Sequence, residues 1–502
     1  MDPKIANETL ALVKAAQGQP LPDDIAKSFT QSGTATTGIT YYDLQAPALN
    51  LYPVLTPLRN KTPRITGGRG IQANWKAITG VNTGRVGIGV SEGNRGGVVT
   101  TGQADYLAAF KGIGLEDYVT FEADYSAEGF QEVKALATMN LLRATMIGEE
   151  LMMLGGNGSA CALGTPTTPT CVDVPAGGTL LANTAYKVIV VALTLDGFLA
   201  SSVAAGLPLS ANRTLADGTT EAYNAGTSIQ SLQGTGTTSN NYADTHGLTV
   251  STPAVTGAVA YAWFVGTSGN ERLNKITTIN SATITAPSAG GAQLASAGFS
   301  ADKSKNALGF DGLLYQALKS GSGSYVKVMA TGTAGTGTPL ASDSAGGIVE
   351  IDAALQSFWD NYRLSPSIIW VNSQEMKNIT AKVLAGSATA AQRFTFDTKQ
   401  GLIAGGTMVR SYLNKFSMGG AVEIPIMIHP NLPAGTIFFD TDEIPYPLSG
   451  VGMVKRMLLR RDYYQIEWPI AKRRYEYGVY ADGVLQNFFP PAFGVITNIG
   501  NG

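Results

Sequence analysis

Gly89-Val90-Ser91-Glu92-Gly93 matches the pattern G-x-S-x-G of a serine nucleophile. Such a serine performs acyl transfer only at a sharp strand-to-helix turn with a histidine to take its proton. The residues after Ser91, EGNRGGVVTTG, make a poor helix start, and the chain offers only His246 and His429 as bases. Those two are far apart and lack metal-ligand spacing, so neither a serine hydrolase nor a zinc site is expected. Asp117, Glu122 and Asp124 lie in a stretch that reads as strand, where alternation puts Glu122 and Asp124 on one side. They could hold a cation or work as paired acids, although a solvated face or salt-bridge partners is the plainer reading. Cys161 and Cys171 flank the turn-rich ALGTPTTPT and are expected as free thiols. There is no Gly-Lys pair and hence no phosphate-cradling loop of that type. No cofactor, no metal and no enzymatic activity are expected.

The tail concentrates cations. Lys455, Arg456, Arg460, Arg461, Lys472, Arg473 and Arg474 are interleaved with Tyr463, Tyr464, Trp468, Tyr475 and Tyr477. Two readings stay open: contact with nucleic-acid backbone and bases, or pairing with acids on neighbouring subunits, which suits the guanidinium fork. The balance of 35 Lys+Arg against 37 Asp+Glu, a net charge of −2, favours subunit pairing.

The elements that must position these residues follow from composition and period. At 502 residues the chain exceeds one ordinary core. Charged residues are only 14%, against roughly 25% in a typical soluble domain, which leaves a surface poorly defended against association. The N-terminus lacks the features of a signal peptide, and no run of about 18 apolar residues is present. Residues 1–40 read as an arm with a short helix over 4–16. Residues 41–126 are mostly extended, and 67–97 reads as a glycine-rich ribbon in which Ile71, Ala73, Trp75 and Ala77 alternate with polar residues. Two strands of such a ribbon would project roughly 30 Å and could not be stable alone in water. Residues 127–155 make a long helix, with Glu128 and Glu132 near its start and Gly155 and Gly156 as its stop. From 156 to 300 charges nearly vanish and short alternating runs suggest a small antiparallel sandwich of immunoglobulin type, with Tyr186, Val188 and Val190 on one face and Tyr261, Trp263 and Val265 on another. Helix-and-strand texture returns over 301–435. An amphipathic helix carries Ile351, Leu355, Phe358 and Trp359, and a second helix is expected to be capped by Ser373. Residues 436–502 are strand-rich. The economical reading is one discontinuous α+β domain with a guest sandwich inserted after the long helix.

Arm, ribbon, long helix, α/β layer and returning strand-rich tail, in that order, resemble the tailed-bacteriophage major capsid protein family and its HK-ninety-seven-type fold. The phrases that carry the resemblance are GIVEIDAALQSFWDNYRLSPSIIWVNSQEMKNITAKVL and IMIHPNLPAGTIFFD, followed by VGMVKRMLLRRDYYQIEWPIAKRRYEYGVYADGVLQNFFPPAFGVITNI. The resemblance covers the chain except 156–300, which resembles the immunoglobulin-like domains that some phage capsid proteins display. It implies an extended loop at 67–97, a spine helix at 127–155, an axial domain at 301–435, and a peripheral domain that begins in 41–126 and is completed by 436–502. It implies a structural protein that builds hexamers and pentamers of an icosahedral head around double-stranded DNA, without sequence specificity and without a membrane. Synthesis in the host cytoplasm, residence in the virion, a portal and decoration proteins as partners, and either a separate scaffold or none go with it. The candidate inter-subunit residues are then Arg69, Trp75, Lys76, Arg85 and Arg95 of the ribbon, and Arg460, Arg461, Arg473 and Arg474 of the tail. Some members crosslink a loop lysine to a neighbour's asparagine; Lys76 is the lysine of 67–97, and nothing in the sequence identifies a partner for it. A surface β-sandwich adhesin is the alternative reading, and a hydrolase using Ser91 stands behind it.

Overall fold

A computed structural model describes residues 55–81, 89–127, 132–215, 218–240, 244–385, 409–417, 419–446 and 449–500. The expected helix at 4–16, Arg85 and Glu128 lie outside these. The chain is mixed α+β, and residues from Leu55 onward form one compact unit. In chain order its first elements are α1 (Pro57–Lys61), β1 (Arg64–Thr66), β2 (Gln72–Val81), β3 (Thr101–Ala109), β4 (Lys111–Thr120), α2 (Phe121–Ala127) and α3 (Val133–Gly155). The low-charge region holds β5 (Thr170–Val174), β6 (Ala185–Leu193), α4 (Leu195–Leu199), β7 (Ala211–Thr214), β8 (Thr220–Tyr223), β9 (Gly234–Thr237), β10 (Gly247–Ser251), β11 (Ala260–Gly266), β12 (Arg272–Thr277) and β13 (Ser281–Ile284). After it come α5 (Leu313–Leu318), β14 (Tyr325–Val328), α6 (Val349–Tyr362), β15 (Ile368–Val371), α7 (Ser373–Ala385), β16 (Ser411–Asn414), β17 (Val422–Ile428), β18 (Ile437–Asp440), β19 (Lys455–Glu467), β20 (Arg474–Asn487) and β21 (Gly494–Thr497).

These strands sort into layers. One four-stranded sheet runs β1-β19-β20-β4, and the long helix α3 packs on β4 and β20. Val119, Leu141, Tyr477 and Val479 make the small core between them. A six-stranded sheet runs β14-β21-β18-β15-β17-β16. Its central strand β15 is buried along its whole length, as expected of the apolar run IIWV. The edge expected at residue 435/436 is therefore not an edge between sheets: β18 and β21 return to the six-stranded sheet, and only the β19–β20 hairpin belongs to the four-stranded one.

The sandwich consists of β13-β10-β5 facing β12-β11-β6-β9. Tyr186, Val188, Val190, Tyr261, Trp263 and Val265 meet in the core between the sheets, and the Trp263 indole donates to Thr277 Oγ1 at 2.8 Å. The opposite faces of β6 and β11 are buried too, through Ile189, Val191, Ala262 and Phe264 packed with Phe299. Strands covered on both sides explain why AYKVIVVAL and AYAWFVG are continuously apolar. The sandwich is also pinned to the six-stranded layer. Asn280 N donates to Asn498 Oδ1 at 2.8 Å, Asn498 Nδ2 returns a bond to Asn280 Oδ1 at 3.1 Å, and Asn280 Nδ2 reaches Thr252 O at 2.7 Å and Thr331 Oγ1 at 2.8 Å.

Several local readings change. The long helix starts at Val133, not 127, and residues 121–127 form a separate helix. Glu122 and Asp124 therefore sit in the first turn of α2, while Asp117 stays on β4, so the strand-borne acid pair does not exist. Gly156 is not left-handed, at φ −61°. Its glycine requirement is close approach: a Cβ there would lie 2.5 Å from Phe310 O, and one at Gly155 would lie 2.1 Å from Leu195 Cδ2. Helix α7 is capped by Asn372, whose Oδ1 accepts from Gln374 N at 2.9 Å, rather than by Ser373. No helix among the described residues is long and apolar enough to cross a membrane.

The Asn280–Asn498 pair is buried and saturates several main-chain and side-chain groups at once. Asn498→Ala should cost about 1–3 kcal/mol, measured by urea unfolding. Thr249→Ala, on the outer face of β10, should cost far less.

Candidate assembly surfaces and the junction beneath them

The ribbon is β2 paired with β3, in a register that sets Trp75 opposite Tyr106 and Lys76 opposite Asp105. Its second strand is thus Thr101–Ala109, not the glycine-rich stretch before residue 97. Gly89–Thr100 instead lie exposed between the strands. Among the described residues the sheet contains no third strand.

The ribbon's root is fixed by aromatic and cationic contacts. Trp75 stacks on Tyr106 with centroids 5.8 Å apart, and its edge meets Phe488, also at 5.8 Å. Arg460 lies 5.2 Å from the Phe110 ring centroid, donates to Gly70 O at 2.9 Å, and pairs with Asp482 at 2.6 Å. Gly68 admits the Phe110 ring, because a Cβ there would approach Cζ to 2.7 Å. The ribbon exposes apolar side chains along its length: Ile71, beside the root, is 83% exposed, Ile78 and Leu107 are 69% each, and Val98 is 87%. The Lys76–Asp105 pair, at 3.7 Å with both side chains about three-quarters exposed, contributes little.

The other candidate residues fall into two groups. Arg69, Arg95, Arg461 and Arg473 are exposed. Arg461 lies 4.1 Å over the Tyr464 ring, and Arg473 pairs with Glu122 at 2.9 Å. Arg460 and Arg474 are engaged at home, the latter with Glu476 at 2.5 Å and over the Tyr118 ring at 4.3 Å. Of the tail cations, Lys455 is fully buried. It pairs with Asp440, which also accepts the Trp370 indole N–H at 3.0 Å, and with Asp442 at 3.0 Å.

The junction that carries the ribbon was not anticipated. Glu149 and Glu150, adjacent near the end of α3, are both buried. Glu149 receives Arg59 at 2.8 Å, Arg64 at 2.5 Å and the Tyr463 hydroxyl. Arg64 also reaches Asp462 at 2.7 Å. Glu150 accepts the main-chain N–H of Leu58 at 2.9 Å and of Arg59 at 2.6 Å, and lies 2.8 Å from His429 Nε2. The other histidine nitrogen accepts from Asn431 N at 3.2 Å. With Nδ1 accepting, the Nε2–H is the donor to Glu150. One pair of carboxylates thus joins α1, β1, α3, the end of β17 and β19.

Ser91 is engaged locally. Its hydroxyl accepts from Asn94 Nδ2 at 2.6 Å, while His429 serves Glu150 and His246 lies 2.8 Å from Asp173. Among the described residues no group of three or more His, Cys, Asp or Glu could hold a metal ion. The two cysteines are free, and burial pushes both thiols up to about 11.

No family model and no curated protein matches the chain. Solved structures do resemble it. Against the cyanophage A-1(L) capsid asymmetric unit the likeness covers 91% of this chain and 96% of the other, at 10% identity and a TM-score of 0.39. Against the capsid of cyanophage P-SCSP1u it covers 97% and 100%, at 8% identity and 0.38. Against the capsid of a native GTA particle it covers 91% and 96%, at 9% identity and 0.38. All three are capsids. The likenesses span nearly the whole chain and superpose loosely.

Two outcomes follow from the junction. Glu150→Ala leaves two main-chain donors and an imidazole without their acceptor, and should cost about 3–5 kcal/mol; His429→Gln keeps a donor and should cost about 1 kcal/mol. Chemical denaturation of both variants checks the order. Burial alone would push the Asp442 carboxyl up, but Lys455 and Lys61 outweigh it and hold the group below its usual range. Asp462 is held low in the same way, against its own burial, by Arg64 and the Tyr463 N–H. Depressed carboxylates contribute stability that is complete above their unfolded value of about 3.9 and is lost as pH falls through the lower folded values. Thermal stability should therefore drop below about pH 4, and less steeply in Asp462→Asn; circular dichroism melts across pH 2–6 test it.

Proposed function

We propose that this chain is a structural shell subunit: a major capsid protein of a tailed phage that assembles into hexamers and pentamers of an icosahedral head enclosing double-stranded DNA. The observation that carries this reading is the ribbon. It is a two-stranded sheet, and such a hairpin is marginal in water without a third strand or a covering surface. Its root is anchored by Trp75, Phe110 and Arg460, while Ile78 and Leu107 stay exposed among the described residues. A structure that holds an apolar ribbon out from a firm root is suited to bury it on another copy. The low charge content supports the same reading, because fewer ions must be desolvated when much surface is buried between subunits.

Roles for the parts follow from the resemblance noted in the sequence. The ribbon acts as the extended loop, α3 as the spine helix, the four-stranded sheet as the peripheral layer and the six-stranded sheet as the axial layer. The sandwich acts as an immunoglobulin-like insertion. Among the described residues, Arg69, Lys76 and Arg95 are ribbon cations available to a neighbour. A scaffold, a portal, decoration proteins and packaged DNA are the partners such a subunit would meet, and the virion is its location.

Expressed alone or with its scaffold, the protein should sediment as rings or closed particles of megadalton mass and show shells in negative-stain micrographs. Ile78→Asp with Leu107→Asp should leave the fold intact by circular dichroism and reduce particle yield at least tenfold, since both side chains are exposed in the single chain. A wild-type chain that stays monomeric at high concentration with scaffold present overturns the reading.

A further inference from the structure

Where β18 ends and β19 begins, one lysine and two aspartates share a dry site. The Lys455 and Asp440 side chains have no exposed surface, and that of Asp442 is 15% exposed. The Phe493 ring centroid lies 5.9 Å from Lys455 Nζ, and Phe493 is itself fully buried. An ammonium carries three N–H donors. Among the described residues Nζ makes one hydrogen bond, to Asp440 Oδ1. Asp442 Oδ1 lies 3.0 Å from Nζ, yet it is buried and accepts no hydrogen bond among the described residues. Asp440 Oδ2 is held differently: it accepts the Trp370 indole N–H at 3.0 Å. As an ion pair the site is costly, because two charges are desolvated while their hydrogen bonding is incomplete. As an arrangement for joining an amine to a carboxyl group it is complete.

We infer that Lys455 and Asp440 condense into an isopeptide bond within the chain. Nζ attacks Asp440 Cγ, and the bond from Cγ to Oδ1 breaks. The ammonium gives up two of its three protons, and both end on Oδ1, which leaves as water. Asp442 Oδ1, beside Nζ, relays them. Oδ2 becomes the amide oxygen and keeps the Trp370 N–H, which stabilises its negative charge while the carbon is tetrahedral. Ammonium plus carboxylate give amide plus water, so the pair supplies every atom and no oxidant, cofactor or second substrate is needed. Asp442 is a carboxylate before and after, consistent with Lys61 pairing with its other oxygen at 2.5 Å. The product is neutral, and its one remaining N–H has Asp442 Oδ1 as the acceptor at hand. Burial favours that product, since condensation removes two desolvated charges, and the packed site supplies the proximity. The bond ties β18 of the six-stranded sheet to β19 of the four-stranded sheet, at the place where the chain passes from one layer to the other. It forms inside a single copy and does not depend on the shell reading.

Mass spectrometry of the purified full-length chain, denatured before measurement, tests this. The wild-type chain should be lighter than its sequence by the mass of one water molecule. Trypsin should leave the bond between Lys455 and Arg456 uncut, because it requires a free lysine side chain, and fragmentation should place the lost water across Asp440 and Lys455. Lys455→Arg keeps a cation in the site and should restore the full mass. Asp442→Asn removes the relay and should slow formation by at least about a hundredfold, read as the linked fraction at matched times after synthesis. A wild-type chain with its full sequence mass, or a loss of water that maps elsewhere, overturns the inference. The wild-type chain alone decides, so a variant that fails to fold does not blur the result. Linkage of Asp442→Asn at the wild-type rate overturns the relay assigned to Asp442.

Discussion

Two adjacent carboxylates, buried in the last turns of a long helix, are the constraint around which this fold is organised. A buried ion left unpaired costs several kcal/mol, so Glu149 and Glu150 dictate what surrounds them. Glu149 takes two guanidinium groups and a phenol; Glu150 takes two main-chain N–H groups and an imidazole. Those groups come from the segment before the ribbon, the end of a strand in the six-stranded sheet, and the long returning hairpin. The helix can hold its position only if all three arrive together. Lys455 with Asp440 and Asp442 repeats the device nearby, and Lys61 ties it to α1 at 2.5 Å from Asp442.

The ribbon depends on that junction. It springs from β1, which runs parallel to β19, and it rejoins the body at β4 beside β20. Its first end is therefore anchored on strands that the carboxylates hold, and its second on a strand paired with β20. Arg460 extends the anchorage by bridging Gly70 O and Asp482 over the Phe110 ring. A rigid root matters because the ribbon beyond it is a two-stranded sheet with no further strand among the described residues. With the base fixed, covering the exposed strand does not require the base to be ordered as well, and pre-organisation of this kind reduces the entropy lost on association.

The fold was legible wherever one local period governed it. Alternation located β2, the helical period located α3 and α6, and the uncharged runs located both sheets of the sandwich. Legibility failed where two conformations share one pattern. The glycine-rich residues after β2 read as extended chain, which a strand and an exposed loop both satisfy, so the pairing strand was placed too early. FEADY alternates like a strand yet forms a helical turn, because the four-stranded sheet ends where Arg474 pairs with Thr120. The junction was not legible at all. Its bonds join residues 92, 279 and 314 positions apart, and a pair of glutamates late in a helix looks like a solvated face until the chain brings arginines to it. Lys455 misled in the same way, since a cation in a basic run is ordinarily exposed.

That misreading bears on how copies of the chain would meet. The tail's cations look in sequence like a single basic surface, yet Lys455 is buried and Arg460 and Arg474 are held by Asp482 and Glu476 of the same chain. Ion pairing is used chiefly to hold the chain's own junctions. What is left bare on the ribbon is apolar side chain, with a few isolated charges such as Arg69, Glu92 and Arg95. A surface of that kind associates through area and shape, and isolated charges set register and orientation rather than strength. The chain thus divides its interactions: desolvated ion pairs lie inside, and exposed apolar side chains with isolated charges lie on the ribbon outside.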